Sequence, residues 1–433
     1  MPLRLDADAA DFEARFAAFL AKDRDSGADV DGVVRDIVAD VRARGDAAVV
    51  EYTRRFDRID VTAATLRIPD AEIDAAAARA PAAQRAAIEF AAARIEAYHR
   101  RLLPVDVDFT DDAGVRLGAR FTPIDAVGLY VPGGKAAYPS SVLMNAVPAK
   151  VAGSRRVAMV VPTPGGEIDP LVMCAARVAG VDEIYRVGGA QAVAALAYGT
   201  ASIAPVDKIV GPGNAYVAAA KRLVFGRVGI DLIAGPSEIL VVADAANDPA
   251  WIAADLLSQA EHDEAAQSIL VCDDPAFADA VCAAVERELA VLATGARARR
   301  SWEDNGAVIV VASLAACAPI VDRVAAEHVE LCMEPAPAEA LSRAIRHAGA
   351  IFIGRHTPEA VGDYVAGTNH VLPTSRTARF SSGLGVADFL KRTSIVSCDA
   401  DALARLGPAA ATLAAAEGLP AHGRSISIRT NRA

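Results

Sequence analysis

Two short segments carry side chains able to bind a metal ion or to transfer protons. In the segment S-Q-A-E-H, Gln259 and His262 stand three residues apart, a spacing that puts an amide oxygen and an imidazole on one helix face. Glutamine is an unusual zinc ligand, so the spacing alone favours a solvated polar face. Glu327 and His328 precede an alternating V-E-L run, which predicts a helix-to-strand junction. There both side chains can point into one cleft, as an acid–base pair requires.

Two further positions are candidates of the same kind. Asp363 stands between a glycine and a tyrosine, shortly before the loop-forming segment G-T-N-H at 367–370. It is a candidate metal carboxylate, although a helix cap or turn residue is the reading that sequence alone favours. His422 lies near the C-terminus with Glu417 five residues before it. A single histidine in such a place is usually a surface residue.

Three glycine-rich turns follow apparent strands. They are Y-V-P-G-G at 130–134, G-G-A-Q at 188–191 and G-P-G-N at 211–214. The last two also precede apparent helices, where free backbone N–H groups bind phosphates. None of the three matches the G-x-G-x-x-G fingerprint of dinucleotide sites. The turns alone therefore indicate either a phosphate-bearing ligand or simply tight turns.

The surrounding pattern predicts the elements that position these residues. The first ~100 residues have helical periodicity, and residues 105–130 are strand-rich. Strands and helices then alternate from about residue 155 and again after residue 235, which indicates parallel βαβ units. We therefore predict an α/β fold with two incomplete Rossmann-like domains in series, N-terminal helices and a small C-terminal tail. The tail begins at about residue 381 and is too small to form a domain alone.

Composition excludes several classes of protein. The net charge is -11, which argues against binding of nucleic acid, because that requires a basic surface. Six cysteines are scattered without a C-x-x-C pair, so neither a zinc knuckle nor a redox motif is indicated. The longest uncharged stretch, at 187–206, is interrupted by glycines and a proline, so no membrane segment is expected. The N-terminus lacks signal-peptide features, and the predicted compartment is the cytoplasm.

Together the motifs resemble those of the histidinol dehydrogenase family. The matching segments, in order, are Y-V-P-G-G at 130–134, G-P-G-N at 211–214, G-P-S-E at 235–238, S-Q-A-E-H at 258–262, E-H at 327–328, G-D-Y at 362–364 through Pro373, and A-H at 421–422. The N-terminal helices match only in general character. The resemblance implies a zinc-containing, NAD-dependent dehydrogenase that oxidises L-histidinol to L-histidine through L-histidinal, consuming two NAD, in the last steps of histidine biosynthesis.

The resemblance also implies a role for each matching position. One zinc ion per subunit would be bound by Gln259, His262, Asp363 and His422. Glu327 and His328 would be catalytic, with His328 as base for the alcohol and Glu327 activating water for the aldehyde. Ser237 and Glu417 would bind the substrate together with the zinc ligands and the catalytic pair. NAD would contact Tyr130, Gln191 and Asn214.

The same resemblance implies a homodimer and a division into domains. The first α/β domain would comprise residues 1–130, including an N-terminal helical arm, and residues 237–380. The second would comprise residues 131–236. Residues 381–433 would form a tail that contacts the partner subunit, where Glu417 and His422 complete the partner's site.

Three other functions stay open on the sequence. A related dehydrogenase of another small alcohol, such as a sulfonated propanediol, would use the same scaffold. A zinc hydrolase would use Glu327 to activate water, but the chain carries no H-E-x-x-H or similar signature. A non-catalytic NAD- or metal-binding protein is the third possibility, and the intact Glu327–His328 pair argues against it.

Overall fold

The computed structural model describes residues 1–22, 24, 30–133, 138–233 and 235–430. Gly134, the last residue of the first glycine-rich turn, lies outside the described residues. Within the described ranges, no helix is both long and apolar enough to cross a membrane.

The strands are β1 (Leu3–Asp6), β2 (Val107–Thr110), β3 (Arg116–Pro123), β4 (Ala126–Tyr130), β5 (Arg156–Val160), β6 (Glu183–Tyr185), β7 (Lys208–Val210), β8 (Gly229–Ile230), β9 (Glu238–Ala243), β10 (Gln267–Cys272), β11 (Ala307–Val310), β12 (His328–Cys332), β13 (Ala350–Ile353) and β14 (Leu390–Ser397). The helices are α1 (Phe12–Leu20), α2 (Asp31–Arg44), α3 (Asp46–Asp57), α4 (Asp70–Ala77), α5 (Ala82–Arg101), α6 (Pro139–Ala152), α7 (Pro170–Val178), α8 (Gly189–Tyr198), α9 (Ala215–Val224), α10 (Pro249–Ala260), α11 (Pro275–Leu289), α12 (Gly295–Asn305), α13 (Ala318–Val324), α14 (Pro335–Ala344), α15 (Glu359–Tyr364), α16 (Ala400–Ala416) and α17 (Pro420–Thr430).

A six-stranded parallel sheet has the order β1-β11-β10-β9-β12-β13. Its central strands β9, β10 and β12 are buried along their whole length, as expected where helices cover both faces of a parallel sheet. Helices α10, α11 and α12 pack on one face. Helices α1, α13 and α14 pack on the other. The β9–β12 pairing puts His328, the first residue of β12, beside Ile239, the second residue of β9.

A second, five-stranded parallel sheet has the order β6-β5-β4-β7-β8. Helices α4 to α7 contribute to the apolar core on one face, and α2, α3, α8 and α9 to the core on the other. The predicted fold class, α/β with two parallel-sheet units, is therefore confirmed.

The predicted division into domains stays a prediction, but two observations bear on its boundaries. Strand β4 pairs within the five-stranded sheet, although it precedes the expected boundary at residue 131. Helices α2 to α5 also bury their apolar faces against that sheet. The prediction instead places residues 1–130 in one domain with residues 237–380. Of the N-terminal elements, β1 and α1 pack with the six-stranded sheet.

The C-terminal tail forms a helical hairpin beside a small antiparallel sheet. That sheet has the order β14-β3-β2. Helices α16 and α17 pack against each other, with Gly407 close to Ile426 and Thr430. Large apolar side chains on these elements stay exposed in the single chain, among them Val396 at 66% and Leu413 at 63%.

Candidate active site

Glu327 and His328 lie where helix α13 gives way to strand β12. The helix ends at Val324, and Ala325 then adopts a left-handed conformation with φ 49°. His328 is the first residue of the buried strand, so the predicted helix-to-strand junction is confirmed. Both side chains are buried, at 6% and 3% exposure. Nδ1 of His328 lies 3.8 Å from Oε2 of Glu327.

The main chain of Glu238 holds both of these side chains. Its N–H donates to Oε2 of Glu327 (3.0 Å), and its carbonyl oxygen lies 3.1 Å from Nδ1 of His328. Because a carbonyl only accepts, Nδ1 must carry the hydrogen, and a neutral imidazole then keeps its lone pair on Nε2. The Nε2 atom is the one left to accept a proton from a ligand.

Two carboxylates surround that Nε2 atom. Oδ1 of Asp363 lies 3.5 Å away and Oε1 of Glu359 lies 3.9 Å away, both carried by helix α15. Burial lowers the pKa of His328, but the carboxylates of Glu327, Asp363 and Glu359 outweigh that effect and raise it to about 10. Burial raises the pKa of Glu327 to about 8. Glu327 and His328 therefore keep their protons to a higher pH in this arrangement than the free side chains would.

Gln259 and His262 meet at the end of helix α10. The helix ends at Ala260, so His262 lies in the following turn and not on the helix itself. The turn nevertheless keeps Nδ1 of His262 3.4 Å from Nε2 of Gln259. The same Nδ1 donates to the main-chain oxygen of Ser258 (2.9 Å), which leaves Nε2 of His262 with a free lone pair. The Oε1 atom of Gln259 is buried without a hydrogen-bond partner in the described part of the chain.

These residues share one cleft of about 350 Å³ between the two sheets. Its walls include the predicted residues Ser237, Gln259, His262, Glu327, His328 and Asp363, together with Asn214. Ser237 and Glu327 immediately precede strands β9 and β12, and His328 begins β12. Gln259 lies on helix α10 and His262 in the turn after it, whereas Asp363 lies on α15 and Asn214 in the turn after β7. The cleft thus collects candidate ligands, the acid–base pair and one predicted NAD contact.

A second cleft of about 700 Å³ lies at the carboxyl edge of the five-stranded sheet. All three predicted NAD contacts, Tyr130, Gln191 and Asn214, line it. The Tyr130 hydroxyl accepts the N–H of Gly189 (3.0 Å) at the start of helix α8. The Oε1 atom of Gln191 is buried with no hydrogen-bond partner among the described residues. Asn214 lines both clefts, so they meet at this residue.

Steric limits and hydrogen bonds at Gly211 fix the turn that carries Asn214. Gly211 has φ 113°, and a Cβ there would collide with the main-chain oxygen of Tyr130, so the position requires glycine. Its N–H donates to Asp231 (2.7 Å) and its carbonyl accepts from Lys221 (3.0 Å). Lys221 and Asp231 also form a buried ion pair with each other.

Glu417 and His422 lie apart from both clefts of the single chain. They are exposed on the tail hairpin, Glu417 at the end of α16 and His422 within α17. Neither is among the described residues that line the two clefts. Their predicted role in the partner's site stays a prediction.

Sequence reasoning missed two residues that touch the Glu327–His328 pair. Glu359 is almost fully buried beside His328, and its Oε2 accepts from the Ser258 hydroxyl (2.9 Å). It stands four residues before Asp363 on α15, and that i,i+4 spacing could have identified it. Glu238 was noticed only as part of the G-P-S-E segment. No local pattern indicates that its backbone would hold two side chains from another strand.

Comparisons with known proteins agree along the whole chain. The family model for histidinol dehydrogenase matches residues 20–430. A relative named histidinol dehydrogenase from Rhodospirillum rubrum is 64% identical, over 100% of this chain and 99% of the relative. One from Bradyrhizobium diazoefficiens is 62% identical over 100% of both chains. A crystal structure of histidinol dehydrogenase from Elizabethkingia anophelis superposes with a TM-score of 0.94 at 33% identity, covering 99% of this chain and 98% of that one.

Proposed function

Because the chain belongs to the histidinol dehydrogenase family of oxidoreductases, we propose that it oxidises L-histidinol to L-histidine through L-histidinal, with NAD as acceptor in both steps. The reaction would complete histidine biosynthesis. One observation carries the proposal: among the described residues, Asn214 lines both the cleft holding the Glu327–His328 pair and the cleft lined by the three expected NAD contacts.

Zinc fits the donor atoms of the first cleft. The unpartnered Oε1 of Gln259, the free Nε2 of His262 and the carboxylate of Asp363 are an oxygen–nitrogen set that this ion accepts. His422 of a second copy is the proposed fourth ligand. Zinc bound there would orient the substrate and so act mainly as a template.

NAD fits the second cleft. The Oε1 atom of Gln191, buried without a partner among the described residues, offers an acceptor. The start of helix α8 also lines this cleft, where a helix N-terminus favours a phosphate group. Asn214 caps helix α9 with its side-chain oxygen (3.2 Å to the N–H of Val217), which leaves its amide N–H₂ for a ligand. NAD bound there would accept the hydride in each step.

The protein's own task is to move protons. In the first step the alcohol proton passes to Nε2 of His328 as the carbon gives up its hydride. Water then adds to the aldehyde, and Glu327 takes the proton that this water loses. His328 serves again when the hydrated aldehyde is oxidised. Since Nε2 of His328 must be unprotonated to accept the alcohol proton, activity should fall in acid solution.

A second copy of the chain is proposed to complete the site. The tail hairpin exposes Leu413 and the small sheet exposes Val107 and Val396, apolar side chains that a partner would cover. Glu417 and His422 lie on the same hairpin, so a partner's tail laid across the cleft could bring both to the substrate. The expected compartment remains the cytoplasm.

The test is NADH formation followed by absorbance with purified protein, NAD and L-histidinol. A sulfonated propanediol and a simple amino alcohol serve as competing substrates. Two NADH per histidinol, abolished by a chelator and restored by zinc, is the expected result. Turnover of another alcohol without turnover of histidinol would leave the site residues in place and change the substrate.

A further inference from the structure

The second cleft contains a carboxylate for which the proposed reaction has no use. Asp57 is the last residue of helix α3, and Arg58 then turns the chain with φ 56°. Its Oδ2 atom is buried and has no hydrogen-bond partner in the described ranges. Burial raises the pKa of Asp57 to about 6, so the group is ionised in mildly alkaline solution. A buried acceptor without a donor, facing a cleft, indicates that a ligand supplies the donor.

No aspartate or glutamate directly follows strand β5, where a ribose-binding acid usually stands. In dinucleotide-binding folds that acid follows the second strand of the βαβ unit and accepts from the ribose hydroxyls. Here the second strand, β5, is followed by V-P-T-P at 161–164. Pro162 and Pro164 nevertheless line the cleft. Asp57 reaches the same cleft from a helix packed on the sheet and offers the missing acceptor.

The geometry of the two clefts decides which half of the dinucleotide meets Asp57. The nicotinamide must approach the acid–base pair, and the clefts meet at Asn214. The adenosine half therefore extends away from Asn214, toward helices α2 and α3. Tyr52 and Phe56 stack there with ring centroids 5.9 Å apart, and both line the cleft. Such a wall suits a purine beside a ribose.

We propose that Asp57 binds the ribose hydroxyls of the adenosine half of NAD and thereby disfavours NADP, whose 2′-phosphate would meet a like charge. The proposal rests on NAD being the cofactor. Arg55 lies on the same wall, with its guanidinium over the Phe56 ring. Once the carboxylate is neutralised, this cation would attract a 2′-phosphate.

The experiment is a calorimetric titration of the full-length protein with ADP-ribose, 2′-phospho-ADP-ribose and nicotinamide mononucleotide at pH 8. Asp57→Asn should weaken ADP-ribose about tenfold to a hundredfold, the loss expected for a hydrogen bond to a charged group. It should strengthen binding of the 2′-phosphorylated ligand and leave the mononucleotide unchanged. Asp57→Glu, which keeps the carboxylate, should recover part of the preference.

Asp60→Asn is the matched control, because it removes the same charge from a solvent-exposed side chain three residues away. ADP-ribose binding to Asp57→Asn within twofold of the parent protein would overturn the proposal. So would equal weakening of all three ligands, or a parent protein that does not bind ADP-ribose. Histidinol oxidation is measured separately on the parent protein, so a failure of the proposed function is distinguished from a failure of Asp57.

Discussion

Replacing Arg24 with glutamine tests whether this residue of the N-terminal segment positions the proposed catalytic pair, Glu327 and His328, through Glu238. The Arg24 guanidinium forms an ion pair with the Glu238 carboxylate, and both side chains are less than a tenth exposed. The N–H of Ser375 donates to the same carboxylate (3.1 Å). The main chain of Glu238 in turn contacts Glu327 and His328. Removing the cation leaves an unpaired buried carboxylate on the residue whose main chain contacts Glu327 and His328.

The expected loss follows from this burial. Breaking a buried ion pair by removing one partner costs about 3–5 kcal/mol of the free energy of unfolding. Burial already raises the pKa of Glu238 despite Arg24, so the carboxyl group of the variant should take up a proton easily. The loss should therefore shrink as the pH falls. A shift of the Glu238 backbone by about 1 Å would lower kcat on the order of 10²-fold, with little change in KM.

Urea unfolding and steady-state kinetics measure the two effects. Arg15→Gln, a change at an exposed arginine of helix α1, is the control and should behave like the parent protein. The double variant Arg24→Gln/Glu238→Gln replaces the ion pair with two neutral amides, and it should recover stability and kcat together. If Arg24→Gln keeps kcat within twofold, or if the double variant is no better than the single one, the reasoning is wrong.

Three further changes test other parts of the site and fold. Glu327→Gln should slow oxidation of histidinal more than oxidation of histidinol, and equal damage to both half-reactions would contradict the division of labour. His262→Asn should lose bound zinc in elemental analysis, and full metal content would refute its place as a ligand. Burial lowers the pKa of His99 from 6.5 to about 4, so the unfolded chain binds the proton first as the pH falls. Stability present above pH 6.5 should drop by about 3 kcal/mol toward pH 4, and His99→Leu should flatten this dependence in urea unfolding, whereas an unchanged slope would exclude His99 as the cause.

Local patterns predicted the parts of the site that local chemistry determines. The glycine-rich turn at 211–214 needs a residue without Cβ beneath Tyr130, so sequence alone marks it. The Glu327–His328 junction follows from a helix pattern that stops before an alternating one. The expected roles of the other cleft residues came from the family resemblance of their segments, because the local patterns of Gln259–His262 and Asp363 alone favoured a solvated helix face and a turn.

Contacts between distant segments were beyond the same reasoning. Arg24 and Glu238 are 214 residues apart, and nothing in either neighbourhood indicates the other. Helices α2 to α5 bury their apolar faces against the five-stranded sheet. Helical periodicity identifies an apolar face but does not say which of the two sheets it packs on. Helix α10 ends at Ala260, so His262 lies in the turn after it rather than on the helix that the spacing predicts. Its side chain still contacts Gln259.

The meeting of two open clefts at Asn214 has a consequence for the order of events. A single wide cavity would expose the bound aldehyde whenever NADH is exchanged for NAD. If NAD binds in the second cleft as proposed, NADH would leave from the cleft lined by Tyr130 and Gln191, while the aldehyde stays beside Glu327 and His328 in the first. On that proposal, the reactive carbonyl compound would be kept from other amines and thiols between the two oxidations, and a stable amino acid would be released in its place.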